Sequence, residues 1–286
     1  MSSPSRETPE QIIARVAARA ERHLAPCGDG HMVAHTWGSG PPLALLHGNY
    51  GSWTHWIRNV ETLSRHYRVI AIDIPGFGES AAPPEPYSIL SVAEIVAAGI
   101  VGIVGDEKVN LVGFSFGAAA ASETAHALGS RLRQLVLVSA GRNMTGINMA
   151  PIKDIVKWRG LDTPAECDAA HRRNLEALMI ADGSRIDALS LVIQNSNAER
   201  TRLRRAVVTK DAATQTRVPM LQAPVSFIWA ERDANIGPHI ADRPEWIRQY
   251  RPGSRHTIIP DAGHWVSYEQ PQLFNEALLD LLERPD

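Results

Sequence analysis

The sequence predicts an α/β fold in which a mostly parallel sheet is covered by helices. Three observations carry this. Short apolar runs with little alternation recur along the chain, as strands buried on both faces do. Helical patterns separate these runs, so the order reads βαβα. At 109–121 a β-branched run meets Gly-x-Ser-x-Gly and breaks into an alanine run, which reads as strand, sharp turn and helix. At 286 residues the chain can hold one substantial core and an accessory lobe.

Taken in order, Ile12, Ile13, Val16, Ala17 and Ala20 fall at helical spacing and predict an amphipathic helix over 9–25. That helix could pack on its own core or on a neighbouring copy, which leaves a homodimer open. Residues 31–37 alternate weakly before the turn cluster Gly38-Ser39-Gly40-Pro41-Pro42, as a peripheral antiparallel strand would. Sheet strands are predicted at 43–46, 69–72, 109–112, 135–138, 225–229 and 257–259. Helices are predicted at 54–65, 88–104, 116–128, 244–250 and 272–282.

The stretch from Ser139 to Pro224 is far longer than the roughly 30 residues of a plain crossover unit. Helical patterns at 152–158, 167–180, 186–195 and 199–208 predict an inserted helical cap, to which Met144, Met149, Met179 and Trp158 add apolar surface. Its expected place is the carboxyl edge of the sheet, where ligands bind in open α/β folds. The predicted organisation is a first core part (1–139), the cap (140–215) and a second core part (216–286). Arg172, Arg173, Arg200, Arg202, Arg204 and Arg205 read as a solvated helix face, with one of them gripping a substrate carboxylate as the sharper alternative.

Composition narrows the classes. With 44% apolar and 21% charged residues the chain is neither disordered nor fibrous, and a net charge of −2 offers no footprint for nucleic acid or an anionic membrane. The two cysteines, Cys27 and Cys167, lie far apart without metal-ligand spacing, so no metal site or disulfide framework is expected. The N-terminus lacks an apolar signal region and no stretch is apolar enough to cross a bilayer. The expectation is a cytoplasmic, cofactor-independent protein that meets a small-molecule substrate.

Ser115 stands at the apex of the 113–117 turn. A nucleophile there is lifted above the first turn of a helix, where the N–H of Phe116 is unpaired and available to a developing oxyanion. Serine needs a base and an orienting acid. His264, on a loop just past a predicted strand, is the best base among 11 histidines. Asp233, on the loop leaving the preceding strand, is the best acid, with Glu231 its weaker rival. The order Ser115, Asp233, His264 suits three parallel strands delivering their loops to one edge. The turn at His47-Gly48-Asn49 offers a second oxyanion donor, the N–H of Asn49. Tyr50, Phe114 and Trp265 are expected to shape the substrate pocket. Asp73 reads as a turn stabiliser, and His47 as a hydrogen-bonding residue beside the oxyanion loop.

Together, His47-Gly48-Asn49, Asp73-Ile74-Pro75-Gly76-Phe77-Gly78-Glu79-Ser80, the 113–117 turn, Asp233 and Gly263-His264 resemble the α/β-hydrolase superfamily across essentially the whole chain. The resemblance implies an α/β-hydrolase fold with a helical cap. The reading is a serine hydrolase that cleaves an ester or lactone of a small, largely apolar substrate through an acyl-enzyme. Gly263-His264-Trp265 with Tyr268-Glu269-Gln270-Pro271 also resembles the carbon–carbon bond hydrolases of ring-cleavage pathways, which commonly carry a polar residue where this chain has Phe114. Epoxide and haloalkane hydrolases need a carboxylate where Ser115 stands and are disfavoured. A catalytically silent binder on the same scaffold is the reading of another class.

Overall fold

The computed structural model describes residues 7–141, 154–203 and 217–283. Eight strands form its sheet: β1 (Glu21–Cys27), β2 (Gly30–Trp37), β3 (Pro42–Leu46), β4 (Arg68–Asp73), β5 (Val109–Phe114), β6 (Leu132–Val138), β7 (Val225–Ala230) and β8 (His256–Ile259). Their spatial order is β1-β2-β4-β3-β5-β6-β7-β8. Only β2 runs against the rest, pairing antiparallel with both β1 and β4. All other pairings are parallel.

Helices cover both faces because the strands are apolar on both. In β3 the side chains of Ala44 and Leu46 enter one core, and those of Leu43 and Leu45 enter the other. The first core also takes α3 (Ile89–Val104) and α4 (Phe116–Leu128); Ser88 caps α3 reciprocally with Ser91. The second takes α1 (Pro9–Ala17), α2 (Val60–Leu63) and the C-terminal α9 (Pro271–Glu283). From β3 the chain steps to β4 on one side, and later to β5 on the other. The carboxyl ends of β3 and β5 therefore flank the crevice where strand order reverses, the usual ligand site of such sheets.

The opening helix predicted over 9–25 is shorter than its periodicity suggested. It stops at Ala17, and Glu21–Cys27 becomes the edge strand β1, joined to β2 by the two-residue turn Gly28-Asp29 with Gly28 at φ 57°. Pro26 fits there, since an edge strand tolerates a missing N–H. The helix packs on its own chain: Val16 is buried, and its carbonyl accepts the indole N–H of Trp37 at 2.9 Å. The helix predicted at 54–65 divides into a 3₁₀ turn, Trp53–Trp56, and α2.

Between β6 and β7, the described residues form α5 (Pro164–Asn174), a π-helical turn at Leu175–Met179 and α6 (Ala188–Glu199). These correspond to the helices predicted at 167–180 and 186–195. Two other predictions fail where they can be read: 154–158 is not helical, and 200–203 is a turn followed by irregular chain rather than a helix starting at Glu199. Met144, Met149, Arg204 and Arg205 lie outside the described residues. The chain re-enters the sheet through a loop held by Arg251, which follows α7 (Arg243–Tyr250). Its guanidinium donates to the carbonyls of Val218, Pro219, Leu221 and Ala223 at 2.8–3.1 Å. Among the described residues no helix is long and apolar enough to cross a membrane.

Candidate active site

The turn at Ser115 is built by close approach. A Cβ on Gly113 would lie 2.3 Å from the carbonyl oxygen of Gly117, and one on Gly117 would lie 2.4 Å from the carbonyl oxygens of both Leu46 and His47. Only glycine lets β5, α4 and the end of β3 converge this tightly. Ser115 itself is held at φ 54°, a backbone conformation that side-chain-bearing residues seldom adopt. Its N–H donates to Val138 at 2.9 Å, so the strained residue is fixed from β6.

Two other loops reach the same edge. His264 Nε2 lies 2.8 Å from Ser115 Oγ, and His264 Nδ1 lies 2.8 Å from Asp233 Oδ2. An ionised carboxylate can only accept, so Nδ1 carries the proton and Nε2 is left to accept from the serine hydroxyl. Asp233 and the imidazole are buried, whereas Ser115 is partly open. The other oxygen of Asp233 accepts the N–H of Asn235 at 2.9 Å, which fixes the carboxylate plane. Glu231, the weaker rival, stays exposed and accepts the N–H of Asp261 at 3.0 Å; it does not orient the histidine.

The loop after β3 sits against Ser115. A Cβ on Gly48 would be 3.4 Å from that of Ser115. His47 holds this loop: its Nδ1–H donates to the carbonyl of Gly48 at 2.7 Å, while its Nε2 accepts the N–H of Ile74 at 3.0 Å. Complete burial pushes His47 down to about 4, so the ring stays neutral and keeps both bonds. Among the described residues no backbone carbonyl takes the N–H of Asn49 or Phe116. Asp73 accepts the N–H groups of Trp53 and Glu79 at 2.7 and 2.8 Å, tying the neighbouring loops together as a turn stabiliser. Burial outweighs those two donors and raises its carboxyl to about 7.

Pocket residues fare differently. Tyr50 is exposed on the loop after β3, at φ 51°. Phe114 and Trp265, expected in the pocket, are completely buried and present no surface to a ligand here. The ring of Phe114 lies 5.1 Å from that of His264 and also meets His55, so it packs behind the imidazole. Trp265 stacks on Tyr268 at 4.2 Å and donates its indole N–H to the carbonyl of His55. Strand and loop periodicity gave no way to separate pocket walls from packing, because both use large apolar side chains. Sequence reasoning also missed Ser139, whose hydroxyl donates to the carbonyl of His264 at 3.2 Å. A lone serine at a strand end carries no local signal. Of the arginines proposed for a substrate carboxylate, Arg202 is engaged by the carbonyls of Gly78 and Ser80, and Arg172 reaches that of Ile186.

The geometry can therefore pass a proton from a hydroxyl to an imidazole that a buried carboxylate orients. A family model for the alpha/beta hydrolase fold matches residues 41–271, which contain all three side chains. The chain belongs to the α/β-hydrolase fold family. This α/β-hydrolase is 26% identical over 253 residues to a 2-hydroxy-6-oxononadienedioate/2-hydroxy-6-oxononatrienedioate hydrolase of Paraburkholderia phymatum, covering 84% of this chain and 86% of that protein. It is also 26% identical over 258 residues to the dihydrolipoyllysine-residue acetyltransferase component of the acetoin cleaving system of Pseudomonas putida. That match covers 86% of this chain and only 64% of the relative. Among solved structures, an esterase from Rhodococcus sp. ECU1013 superposes with a TM-score of 0.76 at 22% identity, covering 93% of this chain and 99% of that one. Naproxen esterase from Bacillus subtilis gives 0.74 at 20% identity, covering 98% and 100%. At these identities the structural likeness of the α/β-hydrolase to its neighbours is one of fold.

Proposed function

We propose that this α/β-hydrolase is a serine hydrolase that cleaves an ester or lactone of a small, largely apolar substrate through an acyl-enzyme. The observation that carries the reading is the continuous relay from Ser115 Oγ to His264 to Asp233, with both contacts at 2.8 Å. In this mechanism Ser115 attacks the carbonyl carbon while His264 takes the hydroxyl proton, and Asp233 holds the imidazole and offsets the charge it gains. The oxyanion is received by the N–H groups of Asn49 and Phe116. His264 then returns the proton to the leaving alcohol, activates a water by the same route, and Ser115 is released. Tyr50 borders the entrance, and the part of the inserted segment that carries α5 and α6 serves as the cap. Nothing in the relay calls on a metal or cofactor, and the substrate is taken from the cytoplasm.

The named relatives that act on oxononadienedioates support a second reading, carbon–carbon cleavage of a ring-fission diketone by the same three residues. Phe114, buried against His264 where those enzymes commonly carry a polar residue, favours the ester. Activated monoesters, lactones and a vinylogous 1,5-diketone offered to the purified protein separate the two. Faster turnover of the matched ester supports the first reading, and far faster turnover of the diketone establishes the second. Ser115→Ala is expected to remove nearly all turnover and fluorophosphonate labelling while leaving the circular dichroism spectrum unchanged. Undiminished ester hydrolysis by that variant would overturn both.

A further inference from the structure

We propose that Glu269 is a positioning residue that fixes the base, His264, to the segment inserted between β6 and β7; this rests on the hydrolase reading above. Glu269 ends α8 (Val266–Glu269) and is almost fully buried; among the described residues its carboxylate makes no salt bridge, and the guanidinium of Arg185 donates to its backbone carbonyl at 2.9 Å. Its carboxylate is instead held by three backbone N–H groups. One oxygen accepts Gly263 at 2.7 Å and Ala181 at 3.0 Å, and the other accepts Asp182 at 2.9 Å. Gly263 immediately precedes the base, whereas Ala181 and Asp182 follow the π-helical turn of the inserted segment. The joint has no slack: a Cβ on Gly263 would fall 2.6 Å from the nitrogen of Ala181 and 2.9 Å from the carbonyl oxygen of Met179.

The residue after the base is tied to the same place, since the N–H of Trp265 donates to the carbonyl of Met179 at 2.7 Å. The N–H groups of both residues that flank His264 are thus held from residues 179–182, that of Trp265 directly and that of Gly263 through Glu269. A buried carboxylate suits this because it offers acceptors only, while an amide of the same shape must turn an NH₂ toward at least one N–H donor. Removing the joint frees the loop that carries the imidazole without touching any group that meets substrate. A second clasp lies close by and serves as the control. Asp187, at the start of α6, accepts the hydroxyl of Tyr268 at 2.6 Å and pairs with Arg58, holding the inserted segment without contacting the base loop.

The test compares Glu269→Gln with Asp187→Asn. Glu269→Gln is expected to lower kcat for an activated ester by about 10–100-fold, the scale of a misplaced catalytic group, with KM within about threefold. It should also weaken or broaden the downfield Nδ1–H proton resonance of His264. That signal is read by NMR without turnover and so is independent of which bond is cleaved. Asp187→Asn should lower Tm while leaving kcat and the resonance near wild type. Should Glu269→Gln fail to fold, Gly263→Ala opens the same joint from the base side and carries the same expectation. A Glu269→Gln or Gly263→Ala protein with lowered Tm but wild-type kcat and an intact resonance overturns the proposal. Failure of the hydrolase reading shows separately, as turnover that survives Ser115→Ala.

Discussion

At the level of single residues, the site joins three side chains whose separate environments differ. Ser115 is strained and partly open, His264 is packed behind by Phe114, and Asp233 is buried with one oxygen on His264 and the other on the N–H of Asn235. The carboxylate selects the tautomer that leaves Nε2 free to accept. Asp233→Asn is therefore expected to keep the fold and reduce kcat by about 10³–10⁴-fold, because an amide can donate to Nδ1 and favour the wrong tautomer. Steady-state ester hydrolysis beside a thermal melt checks this; a loss below tenfold would remove Asp233 from the relay. Ser115, Asp233 and His264 could be picked out from sequence because each has a local mark: glycines two residues either side, or a loop directly after an apolar run. Ser139 and Asn235 carry no such mark: Ser139 gives one hydrogen bond to a residue distant in sequence, and Asn235 gives Asp233 only a backbone N–H, which almost any residue type could supply.

At the level of elements, the turn at Ser115 is a place where strand and helix touch backbone to backbone. Gly113 has the carbonyl oxygen of Gly117 and the methyl of Ala121 where its own Cβ would be. Gly113→Ala is expected to destabilise the protein by about 1–3 kcal/mol, the usual cost of overpacking, and to reduce activity by displacing Ser115. Urea unfolding measures the first effect and ester turnover the second. An unchanged midpoint would mean that β5 and α4 can separate without penalty. Element prediction succeeded where the apolar run was short and bounded, as in β3 to β8, and failed where helical spacing met a second influence. Residues 18–25 kept an apolar rhythm, but the Gly28-Asp29 turn and the waiting edge of β2 drew Glu21–Cys27 into a strand. Propensity is a weak prior, and a paired edge overrides it.

For the molecule as a whole, two buried groups pull pH dependence in opposite directions. His47 titrates near 4 in the fold against 6.5 unfolded, so its contribution to stability is complete above 6.5 and lost as pH falls through 4. Asp73 titrates near 7 in the fold against 3.8 unfolded, so its contribution is complete below 3.8 and lost as pH rises through 7. Between pH 4.5 and 6.5 the two largely offset each other. Asp73→Asn removes one of them, and its stability should gain about 3 kcal/mol more than that of the wild type over this interval. Urea unfolding of both proteins at the two pH values tests this, and equal slopes would show that Asp73 is ionised throughout.

Local pattern was enough for the α/β class, the parallel core strands, the tight turn at Ser115 and the identity of the three side chains that meet. These follow from short-range rules: apolar runs, glycine where a Cβ cannot fit, and loops at strand ends. That β1 forms an edge, that Phe114 packs behind the imidazole while Trp265 stacks on Tyr268, and that Glu269 joins the base loop to the inserted segment follow from tertiary contacts alone. Each of those depends on which surfaces meet across long stretches of chain, and no local pattern encodes a partner that far away.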